Sequence, residues 1–193
     1  MPSESPSDST PADETPGASG FAFDPDRILA ALDAHSVEYL LVGGLAARAH
    51  GATRRTADID CVPATTAENY ARLAAALRSL GARLRVGGMT DDEAKQLPVA
   101  VDAQTLQSFG NSTWMTDAGP IDLLAELRDR DGGYHSYTDL LERSVPYAVG
   151  GVIVRLAALG DIVASKEYAD RDKDREALPE LRELLRRHTE FEP

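Results

Sequence analysis

The chain has 193 residues, with 20 Lys and Arg against 32 Asp and Glu and a formal net charge of −12. That length suits one domain with at most an appendage, and an apolar share of 42% is enough for a core. No run approaches the roughly 20 apolar residues of a membrane span, no basic-then-apolar leader opens the chain, and one cysteine excludes a disulfide framework or a multi-cysteine zinc site.

A cytoplasmic protein fits these features. The acidic balance argues against coating DNA or RNA through bulk charge, though not against an anionic substrate met by a small local patch. Residues 1–20, MPSESPSDSTPADETPGASG, hold no large apolar residue after Met1 and read as a disordered tail. Glu4, Asp8, Asp13 and Glu14 place four of the acids there. Residues 21–193 read as the folded domain.

Asp24 or Asp26 is positioned to cap a helix with Ile28, Leu29, Ala31 and Leu32 on one face. Residues 37–42 form a strand stopped by Gly43-Gly44, and a short helix runs from there to Gly51. Residues 57–62 form a second strand, ended by Pro63. Thr65 or Thr66 caps an amphipathic helix through Leu80, and Gly81 ends it. Residues 82–86 read as a strand. Residues 87–106 are polar and without clear period, of a length suited to a lid or a substrate-facing insertion. Residues 112–116 and 120–124 pair through Asp117-Ala118-Gly119, and residues 145–154 fold back around Gly150-Gly151. A helix over 157–169, a charged break over 171–174 and a helix over 177–188, with Leu178, Leu181, Leu184 and Leu185 on one stripe, make a C-terminal helical part of about residues 157–190. The order predicts an α+β domain with a small mixed or antiparallel sheet flanked by helices.

The chemistry concentrates in LVGGLAARAHGATRRTADIDCVP, residues 41–63. Gly43 and Gly44 end a strand and open a helix. Such a turn lets backbone amides approach an anion, and equally serves as a plain connection. Asp58 and Asp60 are spaced i, i+2, so on a strand they face one way, roughly 6.5–7 Å apart. Two carboxylates so placed either face water or share a cation, and Mg²⁺ takes a few carboxylate oxygens beside phosphate and water. Arg48, His50, Arg54 and Arg55 gather between the two motifs, as a phosphate footprint or as charge balance. His50 and Trp114 read as structural, and Cys61 as a buried small apolar residue. Asp122 lies between Ile121 and Leu123, costly to bury without a partner.

Gly43-Gly44, the short helix, Arg54-Arg55-Thr56 and Asp58-Ile59-Asp60 together resemble the minimal nucleotidyltransferase, or polymerase-β-like, superfamily. The likeness extends over about residues 24–185 and is nearest to the branch of AbiEii and MenT-type toxin nucleotidyltransferases. It implies a glycine turn that holds triphosphate and carboxylates that bind one or two Mg²⁺, with Asp122 as the third acid or as the base. Lys166, followed by Arg171-Asp172-Lys173-Asp174, matches a Lys and an Arg-x-Lys-Asp element of that branch. The resemblance implies that Lys166 meets nucleotide phosphates and that Asp174 holds Lys166 or the nucleotide. Asp172 stands where the branch usually has proline, which makes Asp170 and Asp172 rivals of Asp174. Leu45 stands where many members have Ser or Thr, leaving backbone amides, with Thr56, to contact phosphate.

The implied activity is transfer of an NMP from an NTP to a hydroxyl, with release of pyrophosphate. The catalytic set is then Asp58, Asp60, Asp122 and Lys166, and nucleotide contacts come from Gly43, Gly44, Arg55, Thr56, Lys166 and Asp174. The implied acceptor is RNA, such as a tRNA 3′ end, or a protein, with an antitoxin protein as partner. The alternatives are a degenerate, non-catalytic binding module, suggested by Leu45, and an antibiotic-modifying transferase, which usually carries an added helical domain for which little chain remains after Leu124.

Overall fold

The computed structural model describes residues 23–191. The tail expected over residues 1–20 lies outside them. Helix α1 (Pro25–Ala34) is capped by Asp24 rather than Asp26: its carboxylate accepts the Arg27 N–H at 3.0 Å, and Pro25 occupies the first turn. Strand β1 (Tyr39–Val42) runs without a linker into α2 (Gly43–Ala49), and β2 (Ile59–Pro63) follows after a loop. Thr66 caps α3 (Ala67–Ser79), which buries Leu73 and Leu77 and ends at Gly81, whose φ is +64°.

Next come β3 (Arg83–Leu84), α4 (Asp91–Lys95), α5 (Ala103–Phe109), β4 (Ser112–Thr116) and β5 (Gly119–Leu123). A small hairpin of β6 (Leu127–Arg128) and β7 (Tyr134–His135) leads to α6 (Tyr137–Arg143). Then β8 (Val145–Val149) and β9 (Val152–Leu156) pair through Gly150-Gly151, both at positive φ. Helices α7 (Leu159–Ala169) and α8 (Asp172–Phe191) complete the described chain. No helix among the described residues is long and apolar enough to cross a membrane.

Seven strands form one mixed sheet in the order β3-β4-β5-β2-β1-β9-β8. The pairs β2–β5 and β1–β9 are parallel, and the other pairs are antiparallel. The α+β class with a helix-flanked mixed sheet is therefore as expected. The core lies where α1 and α3 meet the sheet, with Ile28, Leu32, Ile59, Leu73, Leu77 and Ile121 all fully buried. Cys61 and Trp114 are buried too, as expected, and the Trp114 indole N–H donates to Ser112 Oγ at 2.9 Å.

The sequence reading needs correction in four places. Asp58 precedes β2 instead of sitting within it. Residues 87–106 are not irregular: they hold α4 and most of α5, closed by caps at Thr90 and Asp102. Leu106 is buried and α5 packs on α3, so this segment belongs to the core's flank, and none of its residues lines the central cleft. Helix α6 had no counterpart in the reading, although Ser136 and Asp139 form a capping box around it and Leu140 is buried. The break before the last helix is short: Asp170 adopts a left-handed conformation, and α8 begins at Asp172 and continues through Pro179.

Candidate active site

Register explains how the acids meet. Asp60 in β2 pairs with Val42 on one side and with Asp122 in β5 on the other. Adjacent strands bring such residues together by main-chain geometry alone. Asp58, in the bend before β2, is held by the Thr56 hydroxyl, which donates to Asp58 Oδ1 at 2.6 Å. One carboxylate oxygen from each of Asp58, Asp60 and Asp122 lies within 4.8 Å of the others. The expected convergence of Asp58 and Asp60 is present, but through a bend and not through one strand face.

This concentration of negative charge is only partly offset by the chain. Burial, then the charges of Asp58 and Asp122, push the Asp60 carboxyl up to about 6, against the opposing Gly44 amide and Lys173. Asp122 is raised as well, by burial first and by Asp58, while the Thr113 hydroxyl, Lys173 and Arg85 pull the other way. Asp122 Oδ1 is buried with no hydrogen-bond partner. A buried oxygen lone pair without a donor is costly, and a hard cation shared by three carboxylates removes that cost. The donor set, all oxygen, suits Mg²⁺.

The two glycines are required by close approach. A Cβ on Gly43, whose φ is +61°, would fall 1.9 Å from Asp60 Oδ2. A Cβ on Gly44 would fall 2.6 Å from Thr56 Oγ1. The Gly44 amide itself donates to Asp60 Oδ2 at 3.4 Å, so the first turn of α2 braces an acid of the cluster. Leu45 packs half-buried against the core.

Behind Lys166 and Arg171, which line the cleft, α7 and α8 enclose a second acid in the opposite circumstances; Asp174, expected as a nucleotide contact, does not itself line the cleft. Asp174 is fully buried, and it accepts Lys166 Nζ at 3.0 Å and Arg171 Nε at 2.6 Å. Burial opposes its ionisation, but the hydrogen bonds from Arg171 and Lys166 outweigh it and hold the carboxyl below its ordinary value. Of its rivals, Asp170 and Asp172 are exposed and paired with Arg175.

The cleft has a volume of about 270 Å³. Gly43, Gly44, Arg55, Thr56, Asp58, Asp60 and Lys166 line it, as do Arg54, Arg171 and Lys173. Arg171 and Lys173 were not singled out as site residues, although the Arg-Asp-Lys-Asp run contains both. The remaining lining includes Leu124, Leu127, Ile162 and Leu181. Of the basic cluster, Arg48 turns to the loop backbone, donating to the carbonyls of Thr53 and Arg54. His50 Nε2 lies 2.9 Å from the Ala157 carbonyl, a structural tie as expected.

No known family profile matches the sequence, and no curated protein does. Solved structures do. ANT(2″)-Ia, in complex with adenylyl-2″-tobramycin, is 21% identical with a TM-score of 0.51, over 82% of this chain and 86% of that one. The lincosamide antibiotic adenylyltransferase LnuA, lincomycin-bound, is 15% identical with a TM-score of 0.53, over 81% of this chain and 93% of that one. The chain thus has the nucleotidyltransferase fold, as the resemblance implied. The expected shortage of chain after Leu124 for an antibiotic-modifying enzyme does not hold, because this chain spans 93% of the length of LnuA.

Proposed function

We propose that the protein is a Mg²⁺-dependent nucleotidyltransferase that moves an NMP from an NTP to a hydroxyl and releases pyrophosphate. The observation that carries this reading is the convergence of Asp58, Asp60 and Asp122 with one buried oxygen left unpartnered. These three would hold one or two Mg²⁺. Bound there, the metal supplies Lewis-acid stabilisation of phosphoryl charge.

The chain's own residues divide the remaining tasks. Thr56 fixes Asp58, and Gly44 fixes Asp60. Lys166 and Arg55 neutralise the phosphates, with Lys173 and Arg171 beside them in the cleft. Asp174 keeps Lys166 in place. Asp122 completes the metal site or takes the acceptor's proton. The Gly43-Gly44 turn lets α2 sit against Asp60 and Thr56, where any Cβ would collide with their side chains.

The resemblance to the AbiEii and MenT branch supports an RNA acceptor, a tRNA 3′ end for example, or a protein side chain, in a toxin–antitoxin setting within the cytoplasm. A second reading, an antibiotic as the acceptor, is favoured by the nearly full-length match to LnuA and ANT(2″)-Ia.

The test incubates the protein with each α-labelled NTP, Mg²⁺ and either total RNA, cell lysate or aminoglycosides and lincosamides, beside Asp58→Ala and Asp60→Ala. Label that moves to one acceptor class and vanishes in both variants supports the reading and selects the acceptor. Equal labelling in the variants overturns the metal role. Mg²⁺-dependent NTP binding with no transfer favours the degenerate module.

A further inference from the structure

Helix α8 grips the cleft loop at two points that differ in kind. Glu180 Oε1 accepts the Thr53 backbone N–H at 2.7 Å and the Thr53 hydroxyl at 2.8 Å. Arg48 holds the same stretch through the carbonyls of Thr53 and Arg54. The backbone at Thr53-Arg54 is therefore pinned from two sides. One turn earlier on α8, Glu176 Oε2 accepts Arg54 Nη1 at 2.8 Å, a contact between side chains only.

Arg54 lines the catalytic cleft. Its side chain is 46% exposed and that of its partner Glu176 is 66% exposed. An ion pair so exposed contributes little to stability and exchanges readily. A triphosphate is a stronger partner for a guanidinium than one solvated carboxylate, because it offers more charge and paired acceptor oxygens.

We infer that Arg54 is a nucleotide-phosphate ligand held in reserve by Glu176. On nucleotide entry the guanidinium leaves Glu176 for the phosphates while the loop backbone stays anchored by Glu180 and Arg48. Glu176 is thus a built-in competitor that lowers nucleotide affinity and gives Arg54 a place to return to when pyrophosphate departs. The inference rests on the nucleotidyltransferase reading above.

The test is calorimetric binding of Mg²⁺·ATP, the other three Mg²⁺·NTPs and inorganic tripolyphosphate to the full chain. Glu176→Gln is expected to tighten binding about two- to fivefold, the reach of one exposed ion pair. Arg54→Gln is expected to weaken it, and in the Arg54→Gln/Glu176→Gln double variant the tightening disappears. Asp172→Asn removes the same charge from the same end of α8, at a side chain 91% exposed, and is expected to leave binding unchanged. Unchanged or weaker binding in Glu176→Gln shows a merely structural clasp and overturns the inference. Equal tightening by Glu176→Gln and Asp172→Asn, or tightening that persists without Arg54, shows a general charge effect and also overturns it. If the folded wild-type chain binds none of these probes, the nucleotidyltransferase reading fails and this inference fails with it.

Discussion

Two acids, Asp60 on the cleft wall and Asp174 buried behind it, face burial with opposite company. Asp174 is fully enclosed yet satisfied, with a lysine and an arginine on its two oxygens. Among the described residues, Asp60 is less enclosed, takes only the Gly44 N–H, and is crowded by Asp58 and Asp122, whose Oδ1 has no partner. Burial alone therefore does not mark a functional carboxylate. What marks it is burial whose electrostatic cost the chain has left uncompensated, because something outside the chain compensates it. The helix side is satisfied by the chain's own lysine and arginine, and the strand side is not.

The largest effect should separate these roles on activity. Asp60→Asn is expected to lower transfer about a thousandfold, the equivalent of several kcal/mol of metal-borne stabilisation. Without divalent cation the same variant should melt no lower than wild type, since it removes like-charge repulsion. A variant that melts much lower would make Asp60 a structural acid like Asp174. Asp174→Ala should do the reverse and cost about 3 kcal/mol in urea unfolding, because it strands Lys166 in a mostly buried position. Unchanged stability there would break the contrast.

Smaller effects sharpen it. Gly43→Ala, which forces Asp60 aside, should lower transfer about a hundredfold, the scale of a displacement near 1 Å. Circular dichroism should show the fold retained. The pH dependence of stability should carry opposite signs at the two sites. Asp60, raised from 3.8 to about 6, binds its proton more tightly folded than unfolded, so its contribution is full below 3.8 and is lost as pH rises through about 6. Asp174, lowered, contributes above the ordinary carboxylate range and loses that contribution as pH falls. Urea midpoints measured without metal between pH 3.5 and 7 should therefore show an Asp60 component that Asp60→Asn flattens and Asp174→Asn does not. Added Mg²⁺ should flatten it as well, because the metal favours the charged form.

Most of the strand side was legible in the sequence. Gly43-Gly44 and Asp58-Ile59-Asp60 are local patterns, and Asp122 announced itself as one acid among apolar strand residues. The bend at Asp58 was not legible, because it depends on a hydroxyl from Thr56 that alternation ignores. The helix side was less readable. Three aspartates alternate through residues 170–174, and only the left-handed turn at Asp170 decides that the third points inward. Residues 87–106 misled for a related reason: caps at Thr90 and Asp102 are polar residues doing helical service, and they look like loop composition.

The parallel pairing of β2 with β5 has a consequence for folding. Asp60 and Asp122 are set opposite one another by main-chain register across strands far apart in the sequence, with three helices and two strands between them. Such non-local pairing forms late, because a long loop must close first. A partly folded chain has no acid cluster to offer. Divalent cation then binds the native state alone and shifts the unfolding equilibrium by mass action. Metal affinity thereby becomes a reporter of a non-local strand pairing, readable in a stopped-flow experiment that watches Mg²⁺ uptake lag behind helix formation.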